Sequence, residues 1–120
     1  MKIAIPVDEN NPKTNVCVSF GRAPYFMIYN TEDKKMDFVF NKAANAEGGA
    51  GIKAAQQIVD NEANVVLTIR CGQNAAEVLQ AAEIKIYKTL NGNAAENIAD
   101  YKEGKLDVLT QFHAGFHGRR

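Results

Sequence analysis

The chain is poor in the side chains that usually advertise chemistry: its 120 residues hold 2 Cys, 2 His, 3 Pro and no Trp. Two cysteines, Cys17 and Cys71, cannot form the disulfide framework of a small secreted domain, so a reduced pair in the cytoplasm is the expectation. No apolar run approaches the roughly 18–20 residues that a membrane helix needs. The N-terminal Met1-Lys2-Ile3-Ala4-Ile5-Pro6-Val7 meets Pro6 and Asp8 too early for a signal peptide. An excess of one charge is missing as well. Lys+Arg and Asp+Glu each number 14, which leaves no global field for nucleic acid or an acidic membrane, and the Arg119-Arg120 pair is only local. Neither nucleic acid nor a membrane is an expected partner.

Catalytic signatures are thin too. Ser19 has no His and Asp partners in a hydrolase motif. Asp8 closes the first strand, where a nuclease could keep a metal carboxylate, but a two-metal site needs several converging carboxylates. The strands read at Val65–Ile69 and Ile84–Lys88 supply none at their ends. Gly49-Ala50-Gly51-Ile52-Lys53-Ala54 fits G-x-G-x-x-A at a helix start, yet it follows a polar loop in mid-chain. It reads as an anion-tolerant helix start, not a dinucleotide site. An enzyme is not expected.

What is present is a core: 46% hydrophobic and 23% charged residues suit one globular domain of this length. The boundaries expected are one α/β domain over residues 1–110 and a His/Gly-containing tail over 111–120. Lys2–Val7 reads as a buried strand, and Asp8–Pro24 as a long polar loop. Tyr25–Asn30 and Met36–Asn41 form a hairpin. Ile52, Ala55, Ile58 and Val59 recur at helical spacing over 52–61. Val65–Ile69 and Ile84–Lys88 are further strands. Asn74-Ala75-Ala76-Glu77 and Asn93-Ala94-Ala95-Glu96 each predict a helix capped by its Asn, the second stopping at Gly104.

The order β-β-β-α-β-α-β-α makes the last two strands parallel through a right-handed crossover. The first three, joined without helices, run antiparallel to their neighbours. A five-stranded mixed sheet of order 3-2-1-4-5 with three helices satisfies both conditions. It brings the 9–24 loop, the Gly48–Gly51 turn, Arg70-Cys71-Gly72 and Asn91-Gly92-Asn93 to one edge, where open α/β sheets bind ligands. Lys105–Thr110 can return along the body, since six extended residues span roughly 20 Å, and would carry His113 and His117 back to that edge.

Two thiols on a ligand-binding edge suit a soft metal or a metal–sulfur cluster. Cys71, between a strand and a helix N-terminus, is expected to favour the thiolate. The alternative is that both are ordinary small residues, since free Cys often is one and no Cys-x-x-Cys occurs. His113 and His117 lie four apart, but Gly115 and Gly118 argue against a helix there, so they are either a solvated tail or ligands to a metal fixed elsewhere.

Four segments, in order and at suitable spacing, carry a likeness over nearly the whole chain: Met1–Asp8, Ser19-Phe20-Gly21-Arg22-Ala23-Pro24-Tyr25-Phe26, Gly48-Gly49-Ala50-Gly51-Ile52 and Cys71-Gly72-Gln73-Asn74-Ala75. Through them the chain resembles the dinitrogenase iron–molybdenum cofactor biosynthesis family. That resemblance implies a ribonuclease H-like fold without nuclease chemistry. It also implies non-catalytic binding, storage or delivery of an iron–sulfur or molybdenum-containing cluster in cofactor assembly, with a cluster donor or recipient protein as partner. Members often carry His just before Phe-Gly-Arg, where this chain has Ser19, and a small or aliphatic residue where it has Cys71. The site expected is Cys17, Cys71, His113 and His117 as metal ligands. Arg22, Gly48, Gly49, Gly51 and Asn74 would hold the cluster's remaining surface. Two thiols are few for a cluster usually held by four; a homodimer, or a cluster bringing its own sulfides, makes up the difference. The rival expectation is a regulatory adaptor that binds a protein through the same edge without metal.

Overall fold

A computed structural model describes residues 1–90 and 92–113. The strands are β1 (Lys2–Val7), β2 (Tyr25–Asn30), β3 (Met36–Phe40), β4 (Val65–Thr68) and β5 (Lys85–Lys88), and the helices α1 (Ala50–Asp60), α2 (Gln73–Ala81) and α3 (Ala94–Lys102). They form one five-stranded sheet of order β3-β2-β1-β4-β5, as the element order predicts. β1 pairs antiparallel with β2 and parallel with β4, and β4 pairs parallel with β5.

β1 is central, so both of its faces are covered and its residues alternate between two apolar layers. Ile3, Ile5 and Val7 pack with Met27, Leu67 and Ile98 of α3. Ala4 packs on the other side with Phe26, Val66, Ile58 of α1 and Leu79 of α2. The sheet is thus sandwiched between α3 on one face and α1 with α2 on the other. Pairing of β1 with β4 covers only Ile3–Ala4 against Val65–Val66. Beyond it Pro6, which has no N–H to give, accepts from the Cys17 N–H through its carbonyl. The two strands part at their carboxyl ends, and a crevice opens between the segments that follow them.

Several boundaries differ from the sequence expectation, each for a tertiary reason. α1 starts at Ala50, two residues before the predicted Ile52. Gly49 turns into it at φ 68°, and buried Ala50 and close-packed Gly51 gain contacts only inside the folded body. Asn74 is not a cap: α2 begins at Gln73 after extended Gly72, with no side-chain cap bond. The Gln73 N–H, one of the orphan donors of a helix start, donates instead to the His113 carbonyl at 2.8 Å. Asn93 does cap α3, accepting from the Glu96 N–H.

α3 ends in a glycine-terminated turn: Gly104 adopts φ 75°, its N–H donates to Tyr101 O, and the Lys105 N–H donates to Asp100 O. The chain then returns as predicted. Lys88 N–H donates to Asp107 O and Leu109 N–H to Ile86 O, which covers the outer edge of β5. The backbone stays bonded to the body as far as His113, which bridges to Gly72. The 8–24 loop is equally well tied. Val16 bridges to Val7, Asn15 to Asn93, and the Ala94 N–H donates to Thr14 O.

Candidate functional site

The crevice beyond β1 and β4 contains a cavity of about 430 Å³. Four stretches of chain wall it: Val18–Arg22 after β1, Glu47–Ile52 at the start of α1, Arg70 with Gly72, Asn74 and Ala75 around the start of α2, and His113 from the returning segment. Small residues let these stretches approach one another. A Cβ on Gly51 would meet the Ala75 Cβ at 3.4 Å, and one on Gly72 would meet the His113 ring at 3.2 Å. The volume lies within the roughly 300–1,000 Å³ usual for small-ligand sites.

Hydrogen bonds set the shape of one wall. Buried Asn41 donates through Nδ2 to the carbonyls of Gly21 (3.0 Å) and Ala23 (2.8 Å) and accepts from the Ala43 N–H. Gln57 of α1 donates to Phe40 O and accepts from the Lys42 N–H. Arg22 Nη1 donates to Ala44 O (3.1 Å) and Ala46 O (2.9 Å), while Ser19 Oγ accepts from the Arg22 N–H.

The electrostatics favour an anion. α1 and α2 both direct their N-termini at the cavity, and neither has a side-chain cap or an acidic residue in its first turn. α3, which starts elsewhere, has both: the Asn93 cap and Glu96. Unneutralised first-turn N–H groups carry the positive end of a helix dipole. Two such ends meet here, the first N–H of α2 being taken by the His113 carbonyl, and with Arg22 and Arg70 beside them they face Glu47, the one acidic side chain among the described lining residues. The rim is apolar: Val18 is 60% and Ile52 44% exposed.

Of the residues singled out from the sequence, Arg22, Gly48, Gly49, Gly51, Asn74 and His113 line this cavity. The cysteines do not. Cys71 is fully buried (0% exposed) among Ala54, Ala75 and Leu79, its Sγ 3.5 Å from Gly72 O. Burial pushes its thiol up to about 12, the reverse of the thiolate expected beside a helix N-terminus. Desolvation outweighs the helix dipole because the side chain points into the core. Cys17 is half-buried. Burial raises its pKa, the Ser19 backbone partly offsets this, and the neighbouring Asp8 side chain adds to the rise. His117 and Asn91 lie outside the described residues, among which no three His, Cys, Asp or Glu group to hold a metal ion. Gly92 serves the fold, its carbonyl accepting from the Val16 N–H. Sequence reasoning placed Arg70 at this edge without giving it a role and passed over Glu47; the position of Arg70 just past the end of β4 was the available signal.

A sequence model of the family described as dinitrogenase iron-molybdenum cofactor matches residues 1–104. The chain belongs to this family. Among solved structures, an NMR structure of a Thermotoga protein proposed to be NifB is 36% identical, with a TM-score of 0.81 over 92% of this chain and 95% of that one. The apo form of the orange protein from Desulfovibrio gigas is 28% identical, with a TM-score of 0.86 over 90% of this chain and 92% of that one. A Methanocaldococcus jannaschii protein proposed to be a dinitrogenase shares the fold at 21% identity and a TM-score of 0.72, over 92% and 95% of the two chains. No curated protein matches the chain. The family is one whose description names a metal-containing cofactor. Among the described residues, no helix is long and apolar enough to cross a membrane.

Proposed function

We propose that this protein holds a preassembled, anionic metal–sulfur cluster, iron–sulfur or molybdenum-containing, in the cavity between α1 and α2, and stores or delivers it in cofactor assembly without catalysing a reaction. The observation that carries this reading is the convergence on one cavity of two arginines and two acid-free helix N-termini without side-chain caps. The family's association with such a cofactor supplies the cargo class. A relative described in an apo form points to a second, loaded state of that relative.

The donor set suits a cluster that brings its own sulfides. Cluster cages built by protein use several thiolates, whereas this cavity offers amides, guanidinium groups and the His113 imidazole, with Cys71 sealed behind it. Cargo in this site is therefore gripped by hydrogen bonds and charge, with His113 as the ring nitrogen donor nearest to it. The apolar rim of Val18 and Ile52 fits a protein that hands over or takes up the cluster. A cytoplasmic setting keeps both thiols reduced.

The test is anaerobic reconstitution with iron, sulfide, molybdate and copper, followed by metal analysis after desalting. Wild type retains metal, and a Cys17→Ala/Cys71→Ala double variant retains it equally. Retention of no metal by wild type overturns the reading. Loss confined to the double variant replaces the electrostatic grip with thiolate ligation.

A further inference from the structure

The two arginines at the cavity differ in what their guanidinium groups already touch. Arg22 Nη1 is committed to two backbone carbonyls, Ala44 O and Ala46 O. Its own backbone is held on both sides, by Ser19 Oγ at its N–H and by the Asn41 amide on the carbonyls of Gly21 and Ala23. Arg70 is exposed, follows the end of β4, and its guanidinium has no hydrogen-bond or ion-pair partner among the described residues. Its carbonyl, by contrast, is anchored, accepting from Thr68 Oγ1 at 3.0 Å.

We propose a division of labour between them: Arg22 is a positioning residue that clamps the 44–46 turn and so fixes the Glu47–Gly49 wall, while Arg70 is the residue that meets the anionic cargo and sets preference for negative charge. This deepens the reading above and rests on it for the second half only. The first half is a statement about the free protein. Residues 47–49 lead from the clamped turn into α1, and a Cβ at Gly48 or Gly49 would touch nothing within 4 Å. Side-chain packing does not hold this stretch. Its placement depends on the tethers at either end: on one side Arg22 together with the turn's own bonds, Ala44 N–H to Asn41 O and Ala46 N–H to Ala43 O, and on the other the first turn of α1.

The two roles predict opposite responses to a charge-conserving change. Lysine keeps the positive charge but is one bond shorter and lacks the planar guanidinium. At position 22 it cannot reproduce the reach to both carbonyls, so Arg22→Lys behaves like Arg22→Ala. At position 70, where charge is what counts, Arg70→Lys retains most of the binding that Arg70→Ala loses.

Two measurements test this. The first is amide hydrogen exchange of the ligand-free protein. Arg22→Lys and Arg22→Ala speed exchange across 46–52 by about tenfold, and Arg70→Ala leaves it unchanged. Unchanged exchange in both Arg22 variants overturns the clamp. The second is anaerobic titration with tetrathiomolybdate, a dianion carrying its own sulfides, at two salt concentrations. Arg70→Ala weakens binding about tenfold and flattens its salt dependence, whereas Arg22→Lys weakens binding with the salt dependence kept. Wild-type affinity in Arg22→Lys, or in Arg70→Ala, overturns the assignment. If wild type fails to bind the dianion at all, the cargo reading and the role of Arg70 fall together, and the exchange data still decide the role of Arg22.

Discussion

A Cβ placed on Gly21 would stand 2.9 Å from the backbone nitrogen of Gly51 and 3.0 Å from its Cα. The chain that leaves β1 therefore lies directly against the first turn of α1, with no room for a side chain between them. Phe20, one residue earlier, is buried beside Phe26, and Arg22, one residue later, holds the 44–46 turn. Gly21→Ala must push backbone against backbone, at a cost of about 1–3 kcal/mol. Gly48→Ala, in open space without a positive φ, stays within about 0.5 kcal/mol of wild type. Gly49→Ala pays about 1–2 kcal/mol for a left-handed residue at φ 68°. Urea unfolding of the three variants checks the order.

Asn41 ties two loops together from a fully buried position. Asn41→Ala leaves the carbonyls of Gly21 and Ala23 and the N–H of Ala43 without their partner. With about 1–3 kcal/mol for each buried group left unpaired, and some relief from water, the variant is destabilised by about 2–4 kcal/mol. A conservative Asn41→Asp change recovers little, because a carboxylate cannot donate to the two carbonyls. Thermal unfolding of the pair gives the comparison.

The two Asn-Ala-Ala-Glu segments give a matched experiment. Asn93→Ala removes a cap and costs about 1 kcal/mol. Asn74→Ala removes none, so stability changes by less than about 0.5 kcal/mol, and the effect is read in cargo binding because Asn74 lines the cavity.

The cysteines separate by reactivity. In the native protein iodoacetamide modifies half-buried Cys17 slowly and leaves buried Cys71 untouched until the chain unfolds. Asp8→Asn quickens the Cys17 reaction, since the carboxylate is one of the groups raising its pKa. Mass spectrometry with and without urea reads both results.

Alkaline pH exposes the burial of Cys71. Its folded-state pKa of about 12 stands above the ordinary thiol value of 9.0. Below pH 9 both folded and unfolded chains keep the proton and stability is unaffected. Between pH 9 and 12 the unfolded thiol ionises and the folded one does not, so stability falls as pH rises, by up to about 1.4 kcal/mol per unit. Cys71→Ala flattens that decline. Equal slopes for wild type and variant between pH 9 and 11 would sink the account.

The sequence alone determined the sheet order, because it follows from which strands are joined by helices and which are not, and connectivity is legible in periodicity. It also located the edge that holds the cavity, since four strand ends meet there in that topology, and it picked out the glycines, Arg22, Asn74 and His113 that line it. Side-chain direction was beyond its reach. Cys71 stands one residue past Arg70 on the same edge, yet one side chain is in solvent and the other in the core. A difference of one position in the turn decides which side chain lines the cavity. The start of α2 was likewise a tertiary decision. Two segments with the same Asn-Ala-Ala-Glu letters begin their helices differently because the carbonyl of His113, forty residues downstream of Gln73, supplies one of them with a hydrogen-bond acceptor. Such a partner comes from the packed chain, and no local pattern of residues encodes it.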